Sequence, residues 1–142
     1  MAEMSKPRPE FRNIHVSQIR TYRLPAAGLV SIAHRITGAV LFLMLPFLVW
    51  LFDVSVTSEM SWERFSSLFT AGALGLPGVI YKLIALGLLF AYMVHFFAGL
   101  RHVWMDMTHS VSKEQGRSSA VVTMAASLVL TALLGAKLFG LY

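Results

Sequence analysis

The chain alternates between segments that carry charged residues and long segments that carry none. Three uncharged, mostly apolar runs stand out at Ile36–Phe52, Leu83–Leu100 and Ser118–Ala136, with 17, 18 and 19 residues. About 20 residues of helix cross the roughly 30 Å hydrocarbon layer of a membrane. The pattern therefore predicts an all-α integral membrane protein with three transmembrane helices, over about residues 27–53, 80–106 and 117–139.

The segments around these runs predict the rest of the architecture. Residues 1–23 are polar and basic and predict a cytoplasmic arm, so a single membrane domain is expected over residues 24–142. Pro25 suits the first turn of a helix, where its missing N–H costs nothing, and Pro46 is expected to kink the first span. The third span is rich in Ala, Ser and Thr, which allow close helix contact in lipid, and is expected to serve packing.

The segment between the first two spans predicts a short helix. Ser61 is expected to cap it, and Trp62, Phe65, Leu68 and Phe69 recur at helical spacing behind that cap. An apolar face of this kind is typical of an amphipathic helix lying at a membrane surface.

Composition and charge agree with a membrane protein and orient it. Of the 142 residues 56% are hydrophobic and 13% charged, whereas about 25% charged is usual in soluble domains. Because Lys and Arg resist translocation, the side with more of them is expected to be cytoplasmic. Three basic residues lie on one side, Arg64, Lys82 and Lys137, and nine on the other: Lys6, Arg8, Arg12, Arg20, Arg23, Arg35, Arg101, Lys113 and Arg117.

The charge distribution therefore predicts a cytoplasmic N-terminus and a periplasmic C-terminus, as in a bacterial inner membrane. Much of the basic excess lies beside the spans, which indicates contact with membrane lipid and no nucleic-acid partner. The chain also has no Cys, which excludes a disulfide, a thiolate zinc site, an iron–sulfur cluster and a covalent c-type haem. Any metal must use nitrogen or oxygen ligands.

His95 is the most informative single position, because it lies inside an uncharged run about six residues, or ~9 Å of helix, from the inner end. Ionisable residues at such depth are costly and usually functional. His95, Gly99, His102 and Asp106 follow spacings of 4, 3 and 4 and share one helical stripe. A planar macrocycle is expected to lie against Gly99, with His95 as an axial ligand and Arg101 or His102 near its propionates.

Simpler interpretations of this stripe stay open. His95 alone is also explained by a hydrogen bond to a neighbouring helix. Arg101 is explained by anchoring at the inner face, His102 by an interfacial position, and Asp106 by pairing with the Arg101 charge.

A second cluster lies where the first span enters the membrane. Ser31 and Arg35 are four residues apart and share a helical face, with His34 adjacent. A hydroxyl, an imidazole and a guanidinium at this depth suit a quinone, whose carbonyl oxygens need hydrogen bonds and, on reduction, protons. The alternative is an Arg35 that extends to the lipid headgroups beside a Ser31 bonded to its own helix.

The histidine count adds an expectation about partners. Spans one and three have no His near the depth of His95, since His34 lies nearer the surface. If a haem with two His ligands is bound, its second ligand is expected from another chain.

Two segments resemble the signatures of a known family. Residues 31–38 read SIAHRITG and resemble the S-I-x-H-R-x-[ST]-G motif of the cytochrome b membrane-anchor subunits, the large anchors, of succinate dehydrogenase (respiratory complex II). Residues 95–106 read HFFAGLRHVWMD and resemble that family's second motif, H-x-x-x-G-x-R-H-x-x-x-D. The order, the separation and the three spans also match, over nearly the whole chain from about residue 20 to 142.

The resemblance implies a role for each matching residue. His95 would be the axial ligand that this chain contributes to a b-type haem, the other coming from a second, small anchor subunit. Ser31 and Arg35 would line the ubiquinone site beside the iron–sulfur subunit, with Arg35, His34 and His102 also near the haem propionates. Flavin and iron–sulfur clusters would belong to the flavoprotein and iron–sulfur subunits.

The expected function is therefore that of a membrane anchor in succinate:quinone oxidoreductase, with no complete active site on this chain alone. Two alternatives stay open. One is the anchor of a quinol:fumarate reductase, which runs the same architecture in reverse. The other is a non-redox membrane scaffold, in which the His and Arg residues only pair helices.

Overall fold

The chain is helical throughout most of its length in a computed structural model that describes residues 15–19, 21–109 and 111–142. Most of the predicted basic arm lies outside these residues. The helices within them are α1 (Val16–Ile19), α2 (Ala26–Val56), α3 (Glu59–Thr70), α4 (Gly78–Thr108) and α5 (Lys113–Leu138). Of these, α2, α4 and α5 are long and apolar enough to cross a membrane. The predicted fold class, all-α with three membrane-spanning helices, is confirmed.

Helix α2 begins one residue after the proline expected in its first turn. Pro25 has an extended ψ of 155° and is the N-cap residue, so it stops the chain from being helical any earlier. Pro46 lies inside α2. Val30 is the one buried residue of this helix, whose remaining surface is half-buried or exposed.

Helix α3 has a different cap from the one predicted from the sequence. Ser58, and not Ser61, is the N-cap residue, and its hydroxyl accepts a hydrogen bond from the Ser61 amide at 3.2 Å. The Ser61 hydroxyl in turn accepts one from the Ser58 amide at 3.0 Å. The two serines therefore form a reciprocal capping box, which satisfies two amides that the helix leaves unpaired.

A tight turn joins α3 directly to α4. Gly72 has a φ of 89°, which L side chains rarely adopt. Gly78 lies so close to the end of α3 that a Cβ there would come within 2.6 Å of the Phe69 carbonyl oxygen. The Tyr81 hydroxyl donates to the Ala73 carbonyl at 2.9 Å and holds the turn against α4.

Among the described helices, α4 and α5 share the most extensive contact. The buried residues of α5 are all small and recur at spacings of 3 or 4, so they lie on one face; we refer to them as the small-residue ladder: Ala120, Thr123, Ser127, Thr131 and Gly135. The Ser127 hydroxyl bonds back to the Thr123 carbonyl at 2.8 Å and needs no partner on another helix. The packing role predicted for the third span is confirmed.

All three long helices meet at one end of the molecule. Val30 of α2, Ala98 of α4 and Ala120 of α5 form a buried apolar cluster there. This contact places His34 of α2 next to His95 and His102 of α4.

Candidate functional site

His95 is attached to the neighbouring helix through a backbone group. Its Nδ1 lies 3.1 Å from the carbonyl oxygen of His34. Because a carbonyl oxygen only accepts, Nδ1 carries the proton in this hydrogen bond, and in the neutral imidazole Nε2 then keeps its lone pair. Within the described residues no hydrogen bond reaches Nε2. The half-buried His95 therefore has its Nε2 atom free of hydrogen bonds to the described residues.

Three imidazoles lie together at the α2–α4 contact. The His34 ring stacks on His95 with centroids 4.3 Å apart, and it lies 5.2 Å from His102. His34 Nε2 is 3.8 Å from the position that a Cβ on Gly99 would take. The space against Gly99, where the sequence predicts a planar group, holds the His34 ring in this structure. A flat group at that exact place requires His34 to adopt another rotamer.

Gly38 brings α2 against His95, and the sequence reasoning assigned it no role. A Cβ at this position would lie 2.8 Å from Cε1 and 3.2 Å from Nδ1 of His95. The ring therefore occupies the place of a side chain. The available signal was a glycine one turn after His34, but helical spacing alone does not show which residue of the other helix faces it.

Arg101 lies in the α4–α5 contact. Its side chain is only 7% exposed, its Nε donates to the Ser119 hydroxyl at 2.9 Å, and a terminal nitrogen donates to the Gly116 carbonyl at 3.3 Å. Asp106 is exposed and makes no ion pair with Arg101 in the part of the chain that the structure describes. The sequence alternative in which these two charges pair is therefore wrong.

Ser31 and Arg35 contrast with Arg101. Ser31 is half-buried and Arg35 exposed. Neither side chain makes a hydrogen bond or an ion pair within residues 15–19, 21–109 and 111–142. A hydroxyl and a guanidinium are therefore both available to an outside group on the same turn of α2.

Comparison with known proteins places the chain among respiratory membrane subunits. The model of the succinate dehydrogenase/fumarate reductase transmembrane subunit family matches residues 4–134. The chain belongs to this family. It is 32% identical over 114 residues to the succinate dehydrogenase cytochrome b556 subunit of Coxiella burnetii, covering 80% of this chain and 86% of that one.

Two further relatives carry similar names. The cytochrome b556 subunit of Paracoccus denitrificans is 30% identical over 115 residues, covering 81% of this chain and 83% of that one. The cytochrome b560 subunit of Reclinomonas americana is 28% identical over 110 residues, covering 78% and 75%. The resemblance to cytochrome b anchor subunits of complex II is confirmed.

The donors in this cytochrome b anchor fit a haem better than a bare metal ion. Among the described residues no group of three or more His, Cys, Asp or Glu side chains is placed to hold an ion. A haem would bring its own ring nitrogens to the iron, so this chain would need to supply only a nitrogen donor. The lone pair on Nε2 of His95 matches that requirement.

Proposed function

We propose that this chain is the anchor subunit of a succinate:quinone oxidoreductase that contributes His95 as one axial ligand of a b-type haem. Ser31 and Arg35 form part of its ubiquinone-reduction site. The observation that carries the haem assignment is the 3.1 Å hydrogen bond from Nδ1 of His95 to the His34 carbonyl. Ligating histidines commonly donate a hydrogen bond from the N–H of their second ring nitrogen to such an acceptor, which fixes the tautomer and the ring orientation.

The residues around His95 suit the edge of a haem. His34, Arg35 and His102 lie on the turns next to His95 and supply donors for propionates. Arg101 reaches the same end of the bundle, and its guanidinium keeps further N–H groups beyond the two bonded within the chain. When bound, the haem accepts and returns one electron; the chain's own groups hold it and balance its charge.

The second axial ligand comes from another chain, a small partner anchor subunit. The His34 ring stacks on His95 with centroids 4.3 Å apart, and His102 lies 5.2 Å from His34. Rings packed beside the first ligand would not supply the second one. His15 and His109 are exposed near the ends of the described segments. We propose no role as an iron ligand for any of these four histidines.

The quinone site is supported by the free donors on α2. Ser31 donates to a quinone carbonyl oxygen and orients the ring. Arg35 stabilises the negative charge that develops on a quinone oxygen during reduction, since fixed charges aimed at such an oxygen act most strongly there. The reduction takes two electrons and two protons per quinone, and the electrons come from succinate.

The chemistry of succinate belongs to other subunits. A flavoprotein subunit oxidises succinate and an iron–sulfur subunit passes the electrons on; this chain has no Cys with which to hold a cluster. The complex lies in a bacterial inner membrane with the N-terminus of this chain in the cytoplasm, as the nine-to-three division of its Lys and Arg residues favours. The haem and quinone residues then lie near the cytoplasmic face.

Two other functions share part of this support. The family description covers fumarate reductase as well, but the relatives are named as succinate dehydrogenase subunits. A scaffold without redox function also explains a His95 bonded to α2. The Nε2 lone pair and the unpaired donors of Ser31 and Arg35 favour the redox assignment.

A difference spectrum of the purified complex tests the proposal. The intact complex, isolated in mild detergent through a tag on this chain, is expected to show a haem b band on reduction and to contain a flavoprotein and an iron–sulfur protein. His95→Ala is expected to lose or alter that band, while His15→Ala, which changes an exposed histidine, keeps it. An unchanged band and haem content in His95→Ala would refute the ligand assignment.

A further inference from the structure

The turn of α2 from His34 to Gly38 contacts the His95 ring at several atoms. The His34 carbonyl accepts from Nδ1 at 3.1 Å, and the Gly38 backbone lies directly against the ring. Because both contacts come from main-chain atoms of a regular helix, they are rigid. The backbone of α2 therefore holds the ring at these two points, in addition to the stacked His34 side chain.

Gly38 is the residue that makes the close approach possible. A Cβ there would lie 2.8 Å from Cε1 of His95, a separation that real Cβ atoms essentially never show. The neighbouring atoms belong to an imidazole already fixed by its hydrogen bond, so the ring cannot yield without losing that bond. Any larger residue at position 38 must rotate His95 or push α2 away from α4.

Thr37 modifies the acceptor that His95 uses. Its hydroxyl lies 2.8 Å from the Ala33 carbonyl and 3.1 Å from the His34 carbonyl. A hydroxyl has one proton, so it is shared between the two oxygens. The share that reaches the His34 carbonyl competes with Nδ1 of His95 for the same oxygen and weakens it as an acceptor.

We infer that Thr37 and Gly38 are positioning residues for the iron ligand. Gly38 determines the position of the His95 imidazole. Thr37 determines the strength of the hydrogen bond from Nδ1–H of His95 to the His34 carbonyl. A stronger pull gives the imidazole more anionic character and stabilises ferric iron. This inference rests on the proposed haem ligation by His95.

Gly38→Ala and Gly87→Ala, compared in the intact detergent-solubilised complex, test the space requirement. Both substitutions add one methyl group to a long helix, and Gly87 has no atom within 4 Å of its added Cβ. Gly38→Ala is expected to lower haem affinity by about tenfold or more and to change the low-spin optical and electron paramagnetic resonance signals. Gly87→Ala is expected to keep both.

Thr37→Val and Thr37→Ser test the tuning without adding bulk. Thr37→Val removes the hydroxyl and is expected to keep haem but to shift the ferric-to-ferrous ratio at a fixed potential toward ferric, by up to about tenfold, equal to 59 mV for one electron. Thr37→Ser keeps the hydroxyl and is expected to match the wild type. This pair of variants tests the effect of Thr37 on the iron potential even if the Gly38→Ala complex does not assemble.

The outcomes separate this inference from the proposed function. If His95→Ala loses the haem signal but Gly38→Ala behaves as Gly87→Ala and both Thr37 variants keep the wild-type potential, the inference is wrong and the haem assignment stands. A wild-type complex without haem overturns the assignment itself.

Discussion

The two helix contacts of α4 differ in kind. On one side, the small-residue ladder of α5 packs against α4, and every residue of the ladder is buried. On the other side, α2 buries only Val30 and brings polar groups, among them His34, to the contact. The α4–α5 contact is closed by small side chains, whereas the α2–α4 contact holds imidazoles and leaves most of α2 exposed.

The two arginines near the same end of the bundle show what this difference means. Arg101 lies in the closed contact and bonds to Ser119 and Gly116. Arg35 lies on the open helix and bonds to nothing in the described parts of the chain. A residue of the closed contact is expected to affect stability first, and a residue of the open helix to affect function first.

The largest expected effect comes from changes on α2, the mostly exposed helix. Arg35→Ala is expected to lower quinone reduction by succinate about 100-fold, because it removes the charge that stabilises the reduced quinone oxygen. Ser31→Ala is expected to lower it about tenfold, the equivalent of one hydrogen bond of about 1.4 kcal/mol. Both rates are measured with a soluble ubiquinone analogue in the purified complex.

The control for these variants is succinate oxidation with an artificial dye, which bypasses the membrane site and is expected to persist. Ser55→Ala changes a serine at the far end of α2 that bonds only to its own helix, and it is expected to leave both assays unchanged. An equal loss in both assays for Ser31→Ala would indicate failed assembly instead of a quinone contact.

The next effect is on the closed contact. Arg101→Met is expected to destabilise the complex by about 1–3 kcal/mol, because the Ser119 hydroxyl and Gly116 carbonyl lose a buried donor. Thermal unfolding of the detergent-solubilised complex measures it. Arg117→Met removes an exposed arginine on the same stretch of α5 and is expected to change stability by less than about 0.5 kcal/mol. Equal unfolding temperatures for the two variants would contradict a special stabilising role of the buried arginine.

The smallest expected effect is within the ladder. A Cβ on Gly135 would lie 2.7 Å from Cδ1 of Leu86, and the end of that leucine side chain is able to turn away. Gly135→Ala is therefore expected to cost about 1 kcal/mol relative to Gly87→Ala, which meets open space. A Gly135→Ala complex as stable as Gly87→Ala would show that the ladder tolerates a methyl group.

Much of the fold was predictable from the sequence. Long apolar runs predict membrane-spanning helices, and a helix rich in small residues predicts close packing against its neighbours. The stripe from His95 was readable for the same reason, since helical spacing defines a face. The spacing does not tell which helix that face meets. The role of Gly38 was therefore missed. The bonds of Arg101 to Ser119 and Gly116 were missed as well, because the pairing considered for Arg101 as an alternative was with Asp106 on its own helix.

The Ser58 cap was missed for a related reason. The sequence has serines at positions 58 and 61, and both take part in the capping box. Ser58 is the N-cap residue, and Ser61 is the third helical residue after it. Choosing between them requires the backbone angle at which the helix begins, and that angle depends on how the chain leaves α2.

The hydrogen bond of His95 has an evolutionary consequence, because its acceptor is the main-chain oxygen of residue 34. A substitution at that position changes a side chain but leaves the carbonyl in place. The hydrogen bond that orients His95 is thus kept when residue 34 changes, whereas the ring stacked on His95 is lost. His34→Ala therefore separates the two roles of this residue, because it keeps the carbonyl that accepts from His95 and removes the imidazole.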